Sequence, residues 1–336
     1  MATGSVEPRL PASLFQFSGQ SELTTWTLSD HFDQEGWTRY DEFLTHEPVL
    51  CFQRIRELAD AFPTYQRQPK TGRKQIDERT HLIAMLVRQF LDATFRELKG
   101  WLLLLKDFFN LPHVPGASTI SEKNRTTRFT RLLDRFHAFI LDQLPPRQAI
   151  IATDATGYSN KKRPWSETDY GLRATEDWIK NHAAVELPSL LYLSTVQTPG
   201  RVHESQVFED VWKNLPDNIT PKRSLADAAY SGNPCLEVAR EHGATPIHDL
   251  RKDHGYTRWP KTAYEKLCNF ATHWPNRFKK LTAWRKLVET TFECTKKRSG
   301  HQLRCRHPVG RRNEMKEKDL AHNIRMLTMR EFVLST

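Results

Sequence analysis

The chain has 336 residues, 38% of them hydrophobic, which is enough for about two domains with a sizeable core. No apolar run approaches the ~18 residues of a membrane span; the nearest, Trp101 to Leu105, is broken by Lys106 and Asp107, and no charged-then-apolar leader stands at Met1 to Leu23, so a membrane or exported protein is not expected. The net charge of +10 is uneven: residues 251–336 hold 21 Lys/Arg against 8 Asp/Glu, while the first 250 sum to −3, a distribution that suits either a polyphosphate-binding surface or a solvated basic tail.

Residues Met1 to about Asp41 lack steady periodicity, and little regular structure is expected there. From His46 to Leu144 the spacing turns helical. Val49, Phe52, Ile55, Leu58 and Phe62 recur at one helix spacing, and Leu82, Met85, Leu86, Phe90 and Leu91 at a second. Pro63 to Lys74 reads as a polar connector between them. Thr94 with Glu97 forms a capping box opening a helix through Leu98, Leu102, Leu105 and Phe109. After a turn at Pro112 to Gly116, Thr119 with Glu122 reads as a second capping box, starting a long helix with Leu132, Leu133, Phe136, Phe139 and Ile140. Its first half carries Lys123, Asn124, Arg125, Arg128 and Arg131. That is compatible with a helix-turn-helix laid in a DNA groove, and equally with a small helical layer whose outer face is basic.

Past Pro145-Pro146 the texture changes. Ala149 to Thr153 is a short apolar run ending in Asp154, as in a strand buried on both faces. Ile179 to Leu187 and Leu190 to Gln197 are further strands, and Glu204 to Leu215 a helix. Ser224 to Ala229 is a strand carrying Asp227, Asn233 to His242 a helix ended by Gly243, and Thr245 to Leu250 a strand. A loop with Pro260 and Pro275 follows, then an amphipathic helix from about Lys279 to Arg298. This order suits a mixed sheet with helices on its faces, one α/β domain.

Three acids stand at telling positions: Asp154 closing the first strand, Asp227 closing the fourth, and Glu289 in the middle of the last helix. A charge closing an apolar strand is costly unless compensated, and a divalent metal compensates it well. At 100° per residue, Arg285 falls near −40° and Lys296 near −20° of Glu289, one polar strip beside an apolar flank. In isolation that strip reads first as a salt-bridge ladder, and the combination with Asp154 and Asp227 reverses the reading. The five cysteines are scattered without CxxC spacing and are expected as reduced thiols, leaving oxygen donors as the candidate ligands.

Arg285-x3-Glu289-x6-Lys296 resembles the third motif, Y-x2-R-x3-E-x6-K, of prokaryotic insertion-sequence transposases of the DDE type. Asp-Ala-Ala-Tyr-Ser-Gly from Asp227 resembles their second motif, usually D-x-G-Y, and Asp154 in Thr-Asp-Ala-Thr their first. The run Lys296-Lys297-Arg298-Ser299-Gly300 and then Leu320-Ala321-His322-Asn323 also matches how such chains finish. Thr282 stands in place of the Tyr, with Trp284 an aromatic nearby, and Ala229 in place of the Gly. The resemblance implies a helical region at residues 1–145, with a candidate DNA-binding helix-turn-helix, and an RNase H-like catalytic domain at 146–336 with a basic C-terminal part. It implies that Asp154, Asp227 and Glu289 are catalytic and bind two Mg²⁺, with Mn²⁺ able to substitute, cleaving DNA at element ends. The freed 3′-hydroxyl then joins target DNA directly. Arg285, Lys296, Lys297, Arg298 and Tyr230 would contact DNA. His203-Glu204 stands where a His-Asp pair is frequent, although helix-end electrostatics accounts for it as well. A cytoplasmic, nucleoid-associated homodimer in a synaptic complex is the expected setting. An RNase H-like nuclease without strand transfer and an inactive DNA-binding derivative are the alternatives.

Overall fold

In the computed structural model, which describes residues 34–64, 76–160 and 178–334, the described residues before the sheet form helices joined by turns. Helix α1 (Gln34–Ala61) starts earlier than the sequence reading placed it and runs through Pro48. Trp37, Tyr40 and Phe43 explain the extension, since they recur every three residues on one face, with the Trp37 and Tyr40 rings 5.9 Å apart and Phe43 fully buried. Most of the Pro63 to Lys74 connector and the first 33 residues lie outside the described residues. Helix α2 (Glu78–Phe90) is N-capped by Asp77, which accepts from the Thr80 amide at 2.6 Å. Helix α3 (Phe95–Leu104) has the expected capping box: Glu97 accepts from the Thr94 amide at 2.7 Å, and Thr94 from the Glu97 amide at 3.3 Å.

The expected long helix after the turn is two helices. Helix α4 (Ala117–Lys123) is preceded by Gly116 rather than capped by Thr119, and the chain restarts at α5 (Thr127–Asp142) with Thr126 accepting from the Phe129 amide. The break is held from outside: the carbonyl of buried Asn124 accepts from Asn313 at 2.7 Å. Lys123 and Arg125 therefore do not share one helical face with Arg128 and Arg131. The last helix, α11 (Pro308–Leu334), packs against α2 and α5, so that residues 298–336 cluster with residues 36–145 in one compact unit. The domain expected at 146–336 instead groups residues 298–336 with the sheet. Within this unit Arg88 is buried between Glu314 (3.0 Å) and Glu317 (3.2 Å), and Arg325 meets Glu47 at 2.8 Å. Part of the basic surplus of the last quarter is therefore internal; Lys318 and Arg325 are buried.

The second unit, centred on residues 146–297, is built on a mixed sheet. Its strands are β1 (Arg147–Asn160), β2 (Ile179–Leu187), β3 (Leu191–Pro199), β4 (Ile219–Ala226) and β5 (Thr245–His248). Their order is β3-β2-β1-β4-β5; β1-β2 and β2-β3 are antiparallel, β1-β4 and β4-β5 parallel. Helices α6 (Phe208–Lys213) and α7 (Asn233–Glu241) connect them, and α7 ends as expected at Gly243, whose φ of 82° a Cβ would disfavour. This is the RNase H-like α/β arrangement. Trp212 of α6 donates to Thr153 on one face of β1 at 3.1 Å. Where a loop around Pro260 and Pro275 was expected there are two helices, α8 (Ala263–His273), opened by a Thr262–Glu265 capping box, and α9 (Pro275–Thr282), with Pro275 at its first position. A short 3-10 turn over Ala283–Arg285 then leads to α10 (Lys286–Ser299). The five cysteines are free, and among the described residues no helix is long and apolar enough to cross a membrane.

Candidate active site

The register of the parallel strands sets the site. Thr153 pairs with Ala226, and Ala226 with His248, at the last rungs of the β1-β4 and β4-β5 ladders. The next residues are Asp154, Asp227 and Asp249, so three acids leave neighbouring strands in one row, at strand spacings of about 4.8 Å. Strand β1 itself does not end at Asp154, as the sequence reading had it, but runs on to Asn160 paired with β2. Each of the first two acids is fixed by a backbone amide: Asp154 Oδ1 accepts from Ala155 at 2.7 Å, and Asp227 Oδ1 from Ala229 at 2.9 Å. Ala229 lies in a 3-10 turn without positive φ, so the usual glycine is not needed there.

Arg285 draws these acids together. Its Nη1 donates to Asp154 Oδ2 at 3.3 Å and to Glu289 Oε1 at 3.0 Å, and its Nε donates to Asp249 Oδ2 at 3.1 Å. Because α10 starts at Lys286, Glu289 lies in that helix's first turn rather than mid-helix, where the helix dipole favours an acid. Further along β1, Lys296 Nζ donates to Thr156 at 2.6 Å and lies 5.3 Å from the Tyr158 ring centroid. Residues 154, 156 and 158 alternate onto one face of the strand, so Asp154 and the Lys296 contacts share it.

Burial, reinforced by the charge of Asp227, pushes Asp154 up to about 7 against the pull of the Ala155 amide and Arg285. Burial also raises Asp227, with Glu204 adding to it. Glu204 accepts from Lys180 at 3.0 Å, and its charge raises both aspartates. His203 is exposed and caps its own turn through the Ser205 amide. Tyr230, read from sequence as a DNA contact, is 1% exposed and packs on the Phe208 ring, so it offers no face to DNA. Trp284 is likewise buried. Lys297 is exposed. Arg298 is half exposed and ion-paired with Glu47 at 3.1 Å.

Direct convergence of Asp154, Asp227 and Glu289 on a metal was expected. Among the described residues no group of three or more His, Cys, Asp or Glu stands ready to hold one; the Arg285 guanidinium bridges Asp154 and Glu289 instead. The donor set still fits a hard divalent cation: it is all carboxylate oxygen, and two members hold their protons more tightly than ordinary aspartates do. A cleft of about 630 Å³ opens beside it, lined by Asp227, Asp249, Arg251, Lys252 and His254.

Sequence reasoning missed two residues. Asp249 is one; only its place after a short strand, matching those of Asp154 and Asp227, signals it. The other is His248, buried between Ser224 Oγ at 2.8 Å and the Tyr230 carbonyl at 2.9 Å. A carbonyl only accepts, so Nδ1 carries the proton and Nε2 accepts from Ser224. Burial lowers its pKa to about 4, in keeping with a neutral ring that ties β4 and β5 to the turn after Asp227.

The model of a family described as the transposase DDE domain matches residues 145–324. No curated protein matches the chain.

Proposed function

Since this chain belongs to the transposase DDE-domain family, we propose that it cleaves DNA at the ends of an insertion sequence and joins the freed 3′-hydroxyl to target DNA. Membership makes it an enzyme of the polynucleotidyl-transferase and nuclease kind, with DNA as its partner. Such enzymes typically use divalent metal ions, and Mg²⁺, with Mn²⁺ substituting, suits this donor set. The observation that carries the reading is the placement of Asp154 and Asp227 side by side at the end of the β1-β4 ladder, with Glu289 on the same guanidinium as Asp154. These three acids would hold the metal. When bound, it supplies positive charge to the attacking and leaving oxygens of an in-line phosphoryl displacement.

The chain's own groups do the rest. Lys296, lowered in pKa by partial burial and held at Thr156 on the face of β1 that carries Asp154, offers its ammonium to a phosphate oxygen. Arg285, released from the acids, offers donors to the scissile phosphate. Lys297 and Arg298 lie next along α10, where they would meet the flanking backbone. Two copies bridging two element ends are the arrangement this chemistry calls for.

The test is incubation of the protein with Mg²⁺ or Mn²⁺ and DNA carrying the element's ends. The expected products are nicked ends bearing 3′-hydroxyls and DNA joined at those ends. Cleavage that never yields joined product would replace this reading with an RNase H-like nuclease. Binding without either product would leave an inactive DNA-binding derivative.

A further inference from the structure

We propose that Asp249 is a positioning residue that anchors Arg285 at the rim of the carboxylate site, where the guanidinium stands in for the metal until metal and DNA arrive. The inference rests on the reading of Asp154 and Glu289 as metal-holding acids. It starts from the division of labour within one side chain. Nη1 of Arg285 serves the two acids that would hold a cation, at 3.3 and 3.0 Å, whereas Nε serves Asp249 alone, at 3.1 Å. A guanidinium is planar and its donors point in fixed directions, so one edge can stay bonded while another is released.

A divalent cation entering between Asp154 and Glu289 meets a resident positive charge and must displace Nη1 from both. Without Asp249, Arg285 would be held only by the acids that the cation needs, and the two cations would compete outright. With Asp249 the guanidinium keeps a partner outside the metal position. It can give up Nη1, remain beside the site, and turn that nitrogen to a phosphate oxygen. The geometry supports the anchoring. Asp249 is the third acid of the strand-end row, its amide donates to the Ala226 carbonyl at 2.9 Å, and His248 beside it is locked to Ser224 and Tyr230. Its carboxylate is one-third exposed and borders the cleft that also reaches Asp227.

Binding of Mn²⁺ to the full chain, followed by electron paramagnetic resonance in the absence of DNA, tests this without requiring activity. Arg285→Ala should bind Mn²⁺ more tightly than the wild type, because the competing cation is gone. Asp249→Asn should weaken binding about tenfold when Arg285 is present and no more than about twofold in the Arg285→Ala background, the coupling expected of residues in contact. Asp249→Glu should restore most of the loss, and circular dichroism should find all variants folded. Equal weakening by Asp249→Asn in both backgrounds overturns the proposal, since Asp249 would then act through its own charge or as a ligand. Weaker binding by Arg285→Ala overturns it too. The underlying reading is tested separately: if Asp154→Asn leaves Mn²⁺ binding unchanged, the functional assignment falls with the inference, whereas lost binding in Asp154→Asn without Asp249–Arg285 coupling removes the inference alone.

Discussion

Replacing Asp154 by Asn should stabilise the metal-free protein, and by an amount that depends on pH. The Asp154 carboxyl is pushed from an ordinary 3.8 up to about 7, chiefly by burial. The unfolded chain therefore loses this proton near pH 4, while the folded chain keeps it until about pH 7. Between those values the folded state binds more protons, so stability falls as pH rises through the window and is level above it. At ~1.4 kcal/mol per pH unit, the ceiling on the cost is about 4 kcal/mol at pH 8 and under about 2 kcal/mol at pH 5. Asn keeps the volume and can still accept from the Ala155 amide, and Arg285 retains Asp249 and Glu289. The pull of Arg285 is already contained in that raised value, so the net stabilisation reaches up to about 4 kcal/mol at pH 8 and shrinks toward zero near pH 4. Urea unfolding of wild type and Asp154→Asn in chelator, at pH 8 and pH 5, measures the difference. Added Mn²⁺ should then raise the wild type by about 2.7 kcal/mol at a hundredfold excess over Kd, and the variant far less. An Asp154→Asn protein less stable than wild type at pH 8, or a gap equal at both pH values, would refute the reasoning.

Lys296→Ala should weaken DNA binding and reduce the slope of log affinity against log salt by about one, with Mn²⁺ affinity unchanged; a salt titration reads this directly. His248→Ala leaves the Ser224 hydroxyl and the Tyr230 carbonyl without their buried partner and should cost about 1–3 kcal/mol in unfolding free energy, with cleavage slowed as the Asp227 turn loosens. Chelator in excess should abolish cleavage and leave DNA binding measurable in a gel-shift assay.

Strands β1 and β4 were legible because their short apolar runs stand out, and Asp154 and Asp227 were legible because each follows such a run; Glu289 was legible from its spacing to Arg285 and Lys296. The length of β1 was not: Ala155 to Asn160 is too polar to read as core, yet β2 pairs with it as far as Tyr158. Pro260 and Pro275 suit a loop, although Pro275 is a helix first residue and Thr262-x-x-Glu265 is a capping box. The opposite error came from Thr119-x-x-Glu122, the same pattern inside a segment whose real cap is Thr126. A local motif cannot tell which of two neighbouring threonines the rest of the fold selects; here Asn313, far along the chain, decides it. The basic C-terminal quarter misled for a related reason. Charge counts do not reveal that Arg325 is matched to Glu47 or that Lys318 donates to the Ser299 carbonyl inside the unit.

The most direct test of the central claim is the single-turnover rate of strand cleavage by Glu289→Gln beside wild type, at saturating Mg²⁺ and end-bearing DNA. Glu289 is more than half exposed, so the substitution spares the fold. Removal of its charge should lower the rate by roughly three orders of magnitude, the loss of a few kcal/mol of transition-state stabilisation, while DNA affinity holds. Cleavage by Glu289→Gln at the wild-type rate would contradict the account, since it would take the third acid out of the chemistry and leave the arrangement around Arg285 a salt-bridge cluster.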